Sequence, residues 1–170
     1  YNNGGKQFIG IGSNAEFNTI SKINKISEKK YSSGAKTLYG KCKSELNYYL
    51  LKKYKKSKWI RIFWLFGKKE KKGRYIHEML SSLKKNKTFN LNFPNLKRDY
   101  MSTEQAAKLI VQIILEKKLN GAFNVCSGNS ITLKKISKIA LKELKLGRIT
   151  YGDNKKTNTI YGAVKKISNI

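Results

Sequence analysis

The sequence predicts an α/β layer fold, and three features carry that reading. Short, largely apolar runs, Lys6–Gly12 ending at Ser13, 58–65 running into a turn at Gly67, and Gly121–Val125, read as buried strands. Between them lie longer stretches whose apolar residues recur at three- and four-residue spacing, the period of amphipathic helices. Helix starts are marked by side chains suited to capping, at Ser102 or Thr103 and at Thr132. Strand and helix alternate without an internal repeat, with about half the strands of a complete layer fold.

Taken in order, residues 1–5, with Asn-Asn-Gly-Gly, read as a turn. Lys6–Gly12 reads as a strand ending at Ser13-Asn14-Ala15-Glu16-Phe17. Residues 18–37 are polar and lysine-rich and read as a surface loop. A helix follows over 38–54, with Tyr39, Lys43, Leu46, Leu50 and Tyr54 on one stripe expected to face the protein. A strand over 58–65 runs into a turn at Gly67, and 68–73 is a solvated charged loop. Helix 74–84 buries Ile76, Met79, Leu80 and Leu83, leaving His77 at the surface. Phe89–Phe93 alternates and reads as a short strand ending at Pro94. The helix capped at Ser102 or Thr103 runs to about Lys118, with Ala106, Ala107, Ile110, Ile113 and Ile114 inward. Gly121–Val125 is a strand, and the helix 133–144 turns Leu133, Ile136, Ile139, Ala140 and Leu144 inward. Beyond Gly147 the chain is polar and ends as though a helix were cut short.

The 170 residues are enough for one ordinary core, and the start at Tyr1 reads as a piece of a longer chain. No run of about 18 apolar residues spans a membrane, and no signal-peptide pattern is present. Cys42 and Cys126 have neither metal nor disulfide spacing, which suits a reducing cytosol and a cytoplasmic protein. The net charge of +27, from 37 basic and 10 acidic residues, raises nucleic acid as a partner. The lysines are spread through nearly every segment, and none forms a recognition helix, zinc finger or aromatic RNA platform. A basic nucleic-acid-binding protein therefore stands as an alternative, and no membrane partner is expected. Such a surface would attract anionic nucleotides in any case.

Tyr39 and Lys43 stand one helical turn apart, so an ammonium lies beside a phenol. The cation favours the phenolate and tunes the hydroxyl for proton transfer. Ser13 stands 26 residues upstream at a strand end. Tyr39-Gly40-Lys41-Cys42-Lys43-Ser44-Glu45 then joins Arg61-Ile62-Phe63-Trp64-Leu65-Phe66-Gly67, Arg98-Asp99-Tyr100 and Phe123-Asn124-Val125-Cys126-Ser127-Gly128. In this order the motifs resemble the NAD-dependent epimerase/dehydratase family, extended short-chain dehydrogenase/reductases that act on nucleotide sugars.

The resemblance implies the C-terminal part of a Rossmann-like doubly wound parallel sheet plus a smaller α/β substrate-binding domain. Residues 1–67 would complete the NAD(P)-binding half. Residues 68–170 would be mainly the substrate domain, with segments returning to the first sheet. Ser13, Tyr39 and Lys43 would be the catalytic set, Tyr39 as acid/base and Lys43 on the nicotinamide ribose. Phe63, Trp64 and Leu65 would line NAD or NADP. The nucleotide-diphosphate sugar would meet Ser13, Asn14, Trp64, Arg74 and Arg98, the last gripping the diphosphate. The alternative for Arg98 is a salt bridge to Asp99; Asn124 and Ser127 are read as structural. No metal is implied.

The reaction would be epimerisation or 4-ketoreduction, with dehydration also open, in surface-polysaccharide sugar synthesis; Glu16 does not convincingly supply a dehydratase acid. A homodimer is expected of the full-length protein, and a cofactor-free binding module is the other alternative. Two residues depart from the family: Trp64 stands where many epimerases have asparagine, and Lys68 where proline is common. The glycine-rich phosphate turn is missing, since Gly10-Ile11-Gly12 is too short for it. The resemblance thus implies that roughly a hundred residues precede this chain and a short segment follows it.

Overall fold

The structure, a computed structural model, describes residues 4–17, 23–28, 34–154 and 157–166. In chain order the strands and helices are β1 (Phe8–Ser13), β2 (Ile23–Ile26), α1 (Leu38–Lys53), β3 (Ser57–Ile62), β4 (Trp64–Phe66), α2 (Tyr75–Lys84), β5 (Thr88–Leu91) and β6 (Lys97–Arg98). There follow β7 (Tyr100–Ser102), α3 (Thr103–Leu115), β8 (Gly121–Val125), β9 (Ile131–Thr132), α4 (Leu133–Leu144), β10 (Arg148–Tyr151) and β11 (Thr159–Gly162).

A parallel sheet of order β1-β3-β8 forms the frame. On β3 and β8 successive side chains point to opposite faces. Trp59 and Ala122 meet Leu50 of α1 on one side. Ile60, Phe123 and Val125 meet Ala106 and Ile113 of α3 on the other. Both faces of these strands are buried, and the polar residues they carry, Lys58, Arg61 and Asn124, are buried with them. The indole of Trp59 lies across β1, and a Cβ at Gly10 or Gly12 would overlap it. Those glycines therefore make room for tryptophan, in keeping with their failure to form a phosphate turn.

Lys58 is buried because it terminates a helix. Its Nζ donates to the carbonyls of Ile113, Ile114 (3.1 Å) and Glu116 (2.7 Å) at the end of α3. These carbonyls have no partner within the helix, and a cation there also complements the helix dipole.

Three smaller strand groups follow: β2-β11-β6-β9, β10-β5 and β4-β7. Met79 and Leu83 of α2 pack with Ala140 of α4, flanked by Phe89 and Ile149 of the β5–β10 pair. No helix among the described residues is long and apolar enough to cross a membrane.

Several expectations need correction. Within the segment expected to be a loop, β2 is a strand paired in parallel with β11; residues 18–22 and 29–33 lie outside the described residues. The stretch 58–65 is two strands, broken at Phe63, whose N–H turns to the carbonyl of Val125 at 3.2 Å. Helix α3 ends at Leu115, where Lys58 takes its last carbonyls. Ala107 points outward there, and Ile139 of α4 is 50% exposed, because Ser137 takes the buried position between Leu133 and Ala140. Beyond Gly147 the chain forms β10 and β11, short strands whose alternation is too weak to read; residues 167–170 lie outside the described residues.

Candidate active site at the carboxyl edge of the parallel sheet

β1 and β3 end together, with Ser13 paired to Ile62, and Phe63 bonds the end of β8. Ligands of open parallel sheets bind at this carboxyl edge. Ser13 caps a 3₁₀ turn over Asn14–Glu16: its Oγ accepts the N–H of Ala15 at 3.2 Å and lies 3.4 Å from Asn14 Oδ1. Helix α1, capped by Thr37, is laid against that turn through Gly40, where a Cβ would overlap the Ala15 carbonyl. Lys43 Nζ donates to the carbonyl of Ile11 at 2.8 Å and stands 5.9 Å from the Tyr39 ring centroid. The Tyr-x-x-x-Lys turn is thus tied to β1 two residues before Ser13.

The face of α1 is not the one expected. Tyr39 is 56% exposed and Leu46 49%, while Gly40, Ser44, Asn47 and Leu50 are the buried positions. The contact is set by close approach and hydrogen bonding, which small and polar residues satisfy, so the helix is rotated by about one position. An exposed phenol with its lysine anchored still suits a proton carrier, which has to reach its substrate.

Behind Ser13 lies a polar network that the sequence pattern does not reveal. Glu16 is 1% exposed. Its Oε1 accepts from the N–H of Ser13 at 2.8 Å and from Trp59 Nε1 at 2.8 Å. Its Oε2 accepts from Arg61 Nε at 3.0 Å and Asn47 Nδ2 at 3.1 Å. Burial pulls the Arg61 guanidinium down from its ordinary range, and Glu16 and then Glu28 oppose that shift. Glu28 in turn accepts the N–H groups of Asn124 (3.3 Å) and Lys166 (2.8 Å). Glu16, Glu28 and Asp99 are three of the ten acidic residues, and all three are buried. The rarity of acids in so basic a chain is the one signal that points to them: few are present, and these three serve as interior acceptors.

The other site residues gather around β4. A cleft of ≈ 680 Å³ is lined by Phe63, Leu65, Lys68, Glu70, Arg74 and Thr103, among others. Arg74, exposed, stands at the start of α2 on its rim. Burial raises the Glu70 carboxyl, with Arg74 and His77 opposing. Tyr100, opposite Trp64 in the β4–β7 pair, is pushed up to about 12 by burial and then by Glu70, against Arg98 and Arg74.

Arg98 lies with its Cζ 5.2 Å from the Trp64 ring centroid. The alternative salt bridge to Asp99 does not form. Asp99 Oδ1 accepts from the N–H (2.8 Å) and hydroxyl (2.6 Å) of Ser127, and Oδ2 from the N–H groups of Gly128 (3.0 Å) and Gly162 (3.3 Å). Asn124 donates to the carbonyls of Ile26 (2.8 Å) and Ala163 (3.0 Å), so it and Ser127 tie β8 to the strands beside it. Among the described residues no group of three or more His, Cys, Asp or Glu could hold a metal ion.

A parallel sheet with a Tyr-x-x-x-Lys helix laid against its carboxyl end is Rossmann-like. Solved structures with the same fold share little sequence with this chain. UDP-glucose 4-epimerase from Thermus thermophilus, in complex with NAD, is 13% identical with a TM-score of 0.78, over 96% of this chain and 57% of that one. UDP-N-acetylglucosamine 4-epimerase from Methanobrevibacter ruminantium, in complex with UDP-N-acetylmuramic acid, is 17% identical with a TM-score of 0.80, over 98% and 57%. dTDP-glucose 4,6-dehydratase from Bacillus anthracis, in complex with NAD, is 14% identical with a TM-score of 0.80, over 96% and 54%. No family model matches the sequence, and no curated protein matches it. The chain spans a little over half the length of these structures, and the resemblance in fold extends over nearly all of it.

Proposed function

We propose that this chain is the carboxyl-terminal part of an NAD(P)-dependent nucleotide-sugar epimerase or 4-ketoreductase. The observation that carries the reading is the anchoring of Lys43 on the Ile11 carbonyl, which fixes the Tyr39 turn beside the strand that ends at Ser13. The donor set fits the nicotinamide end of such a cofactor. An ammonium has three N–H donors, and only one is needed for Ile11. Nothing in the sequence offers the glycine-rich turn that a pyrophosphate needs.

When bound, the nicotinamide supplies hydride transfer. Tyr39 exchanges a proton between its phenolic oxygen and the sugar hydroxyl or carbonyl. Ser13 donates to that same sugar oxygen as negative charge develops on it. Lys43, anchored beside Tyr39, would hold the nicotinamide ribose. Phe63 and Leu65 line the cleft and exclude water there, Trp64 faces Arg98, Asn14 borders the sugar, and Arg74 and Arg98 receive the diphosphate.

We extend the reading to a cytoplasmic homodimer working in surface-polysaccharide sugar synthesis. Exposed Leu38, Leu46 and Tyr49 on α1 support a partner on that face. Cys42 shares the face and is exposed, whereas Cys126 is buried, its thiol pushed up by burial and Asp99. In the isolated chain iodoacetamide is expected to alkylate Cys42 alone under native conditions. In the complete protein Cys42 becomes protected as concentration rises; equal labelling of both thiols would contradict the packing, and unprotected Cys42 the dimer.

The test of the cofactor assignment uses both lengths of chain. The isolated 170 residues should show no tight, saturable site in calorimetric titration with NAD, whereas the complete protein should. Micromolar affinity in the isolated chain would mean that the pyrophosphate site has been misplaced.

A further inference from the structure

The Arg98 guanidinium is half-buried, stacked on an aromatic ring and without a carboxylate partner among the described residues. Its Nη1 donates to the carbonyl of Lys97 at 2.8 Å, and to the carbonyl and Oδ1 of Asn158 at 2.9 and 3.0 Å. One of its faces lies on Trp64. Nε and Nη2 make no hydrogen bond among the described residues. Asp99, the adjacent acid, is fully committed to Ser127, Gly128 and Gly162. Tyr100, two residues further along the chain, stays neutral at ordinary pH, because burial pushes it up to about 12. Removing a cation partly from water without an opposite charge is costly, so an open N–H edge on it is a place for an anion.

The holder itself is tied into the sheet and the core. The carbonyl of Asn158 also accepts the N–H of Lys97 at 3.0 Å, and the next residues pair β11 with β6, Ile160 opposite Arg98. Trp64 meets Phe63 edge-on, with centroids 6.3 Å apart, and packs against the cluster of Phe17, Ile26, Cys126 and Ile160. A guanidinium fixed at one nitrogen and one face can offer only its remaining edge, and that edge matches two phosphate oxygens.

We propose that Asn158 and Trp64 are positioning residues that preset the Nε–Nη2 edge of Arg98 to grip one phosphate of a nucleoside diphosphate. This rests on the nucleotide-sugar reading above, and it assigns Asn158, far from the sequence motifs, a role in affinity. It also accounts for tryptophan in place of an amide at position 64: the indole holds the arginine instead of touching the sugar.

The test is calorimetry on the complete protein with UDP, dTDP, GDP and CDP, and with the corresponding nucleosides. For the diphosphate that binds, Asn158→Ala is expected to weaken affinity about tenfold, as for one displaced charge-assisted contact. Trp64→Leu should weaken it about fivefold through the lost stack. Nucleoside affinity should not change. Asn158→Asp keeps the anchor but neutralises the arginine, so it should bind the diphosphate worse than Asn158→Ala while its thermal midpoint is at least that of wild type. In an Arg98→Ala background, Asn158→Ala should have no further effect. Diphosphate affinities within about twofold of wild type in both Asn158 variants would overturn the inference. So would an undiminished effect of Asn158→Ala once Arg98 is gone. If no diphosphate binds the wild type, the nucleotide-sugar reading falls with it.

Discussion

Tyr39→Phe in the complete protein is expected to cut turnover by about a hundred- to ten-thousand-fold, the usual worth of positioned acid/base assistance, with nucleotide-sugar affinity nearly unchanged. The substitution removes one oxygen from a half-exposed ring, so it leaves no cavity and no unsatisfied buried group. Lys43 keeps its bond to the Ile11 carbonyl, and Gly40 keeps α1 against the 3₁₀ turn. A loss of turnover would therefore report chemistry and not folding. Steady-state kinetics with direct binding of the sugar nucleotide separates the two. Turnover within about twofold of wild type would rule out Tyr39 as the proton carrier.

Glu16→Ala is expected to cost about 3–5 kcal/mol of stability, the range for stripping one partner from a buried ion pair. The carboxylate serves four donors at once: Ser13 N–H, Trp59 Nε1, Arg61 Nε and Asn47 Nδ2. Replacing both charges with apolar residues would not recover that loss, because the Ser13, Trp59 and Asn47 donors would still lack an acceptor. Arg61→Met should cost less than Glu16→Ala, since Glu16 would keep three of its donors. Denaturant unfolding of the complete protein gives the order. A Glu16→Ala variant within about 1 kcal/mol of wild type would show that water reaches this site and replaces the carboxylate.

How much of this is legible in the sequence depends on the kind of residue. Leu133 and Ala140 face inward and α4 starts at Leu133, as the pattern predicts, because a capping Thr132 and a three-to-four spacing are local signals. Ile139 departs from the pattern through the same locality. The spacing admits it, but the neighbouring layer accepts Ser137 instead, whose hydroxyl meets the Lys134 carbonyl (2.8 Å) and Tyr151 (3.1 Å). Ser13 closes β1 and Tyr39 and Lys43 lie in the first turns of α1, as expected, whereas Arg98 ends β6, a two-residue strand that the pattern does not predict.

The α/β order, the candidate site residues and the lack of a phosphate turn follow from the chain alone, since each is encoded in residues near one another along it. Which face of α1 is buried, where the scarce acids go and what holds Arg98 emerge only once the chain is folded. Those answers depend on partners far apart in sequence: Gly40 with Ala15, Glu16 with Arg61, Asp99 with Ser127, Arg98 with Asn158. A buried polar group is stable only when its partners are in place, and no local period records where they are.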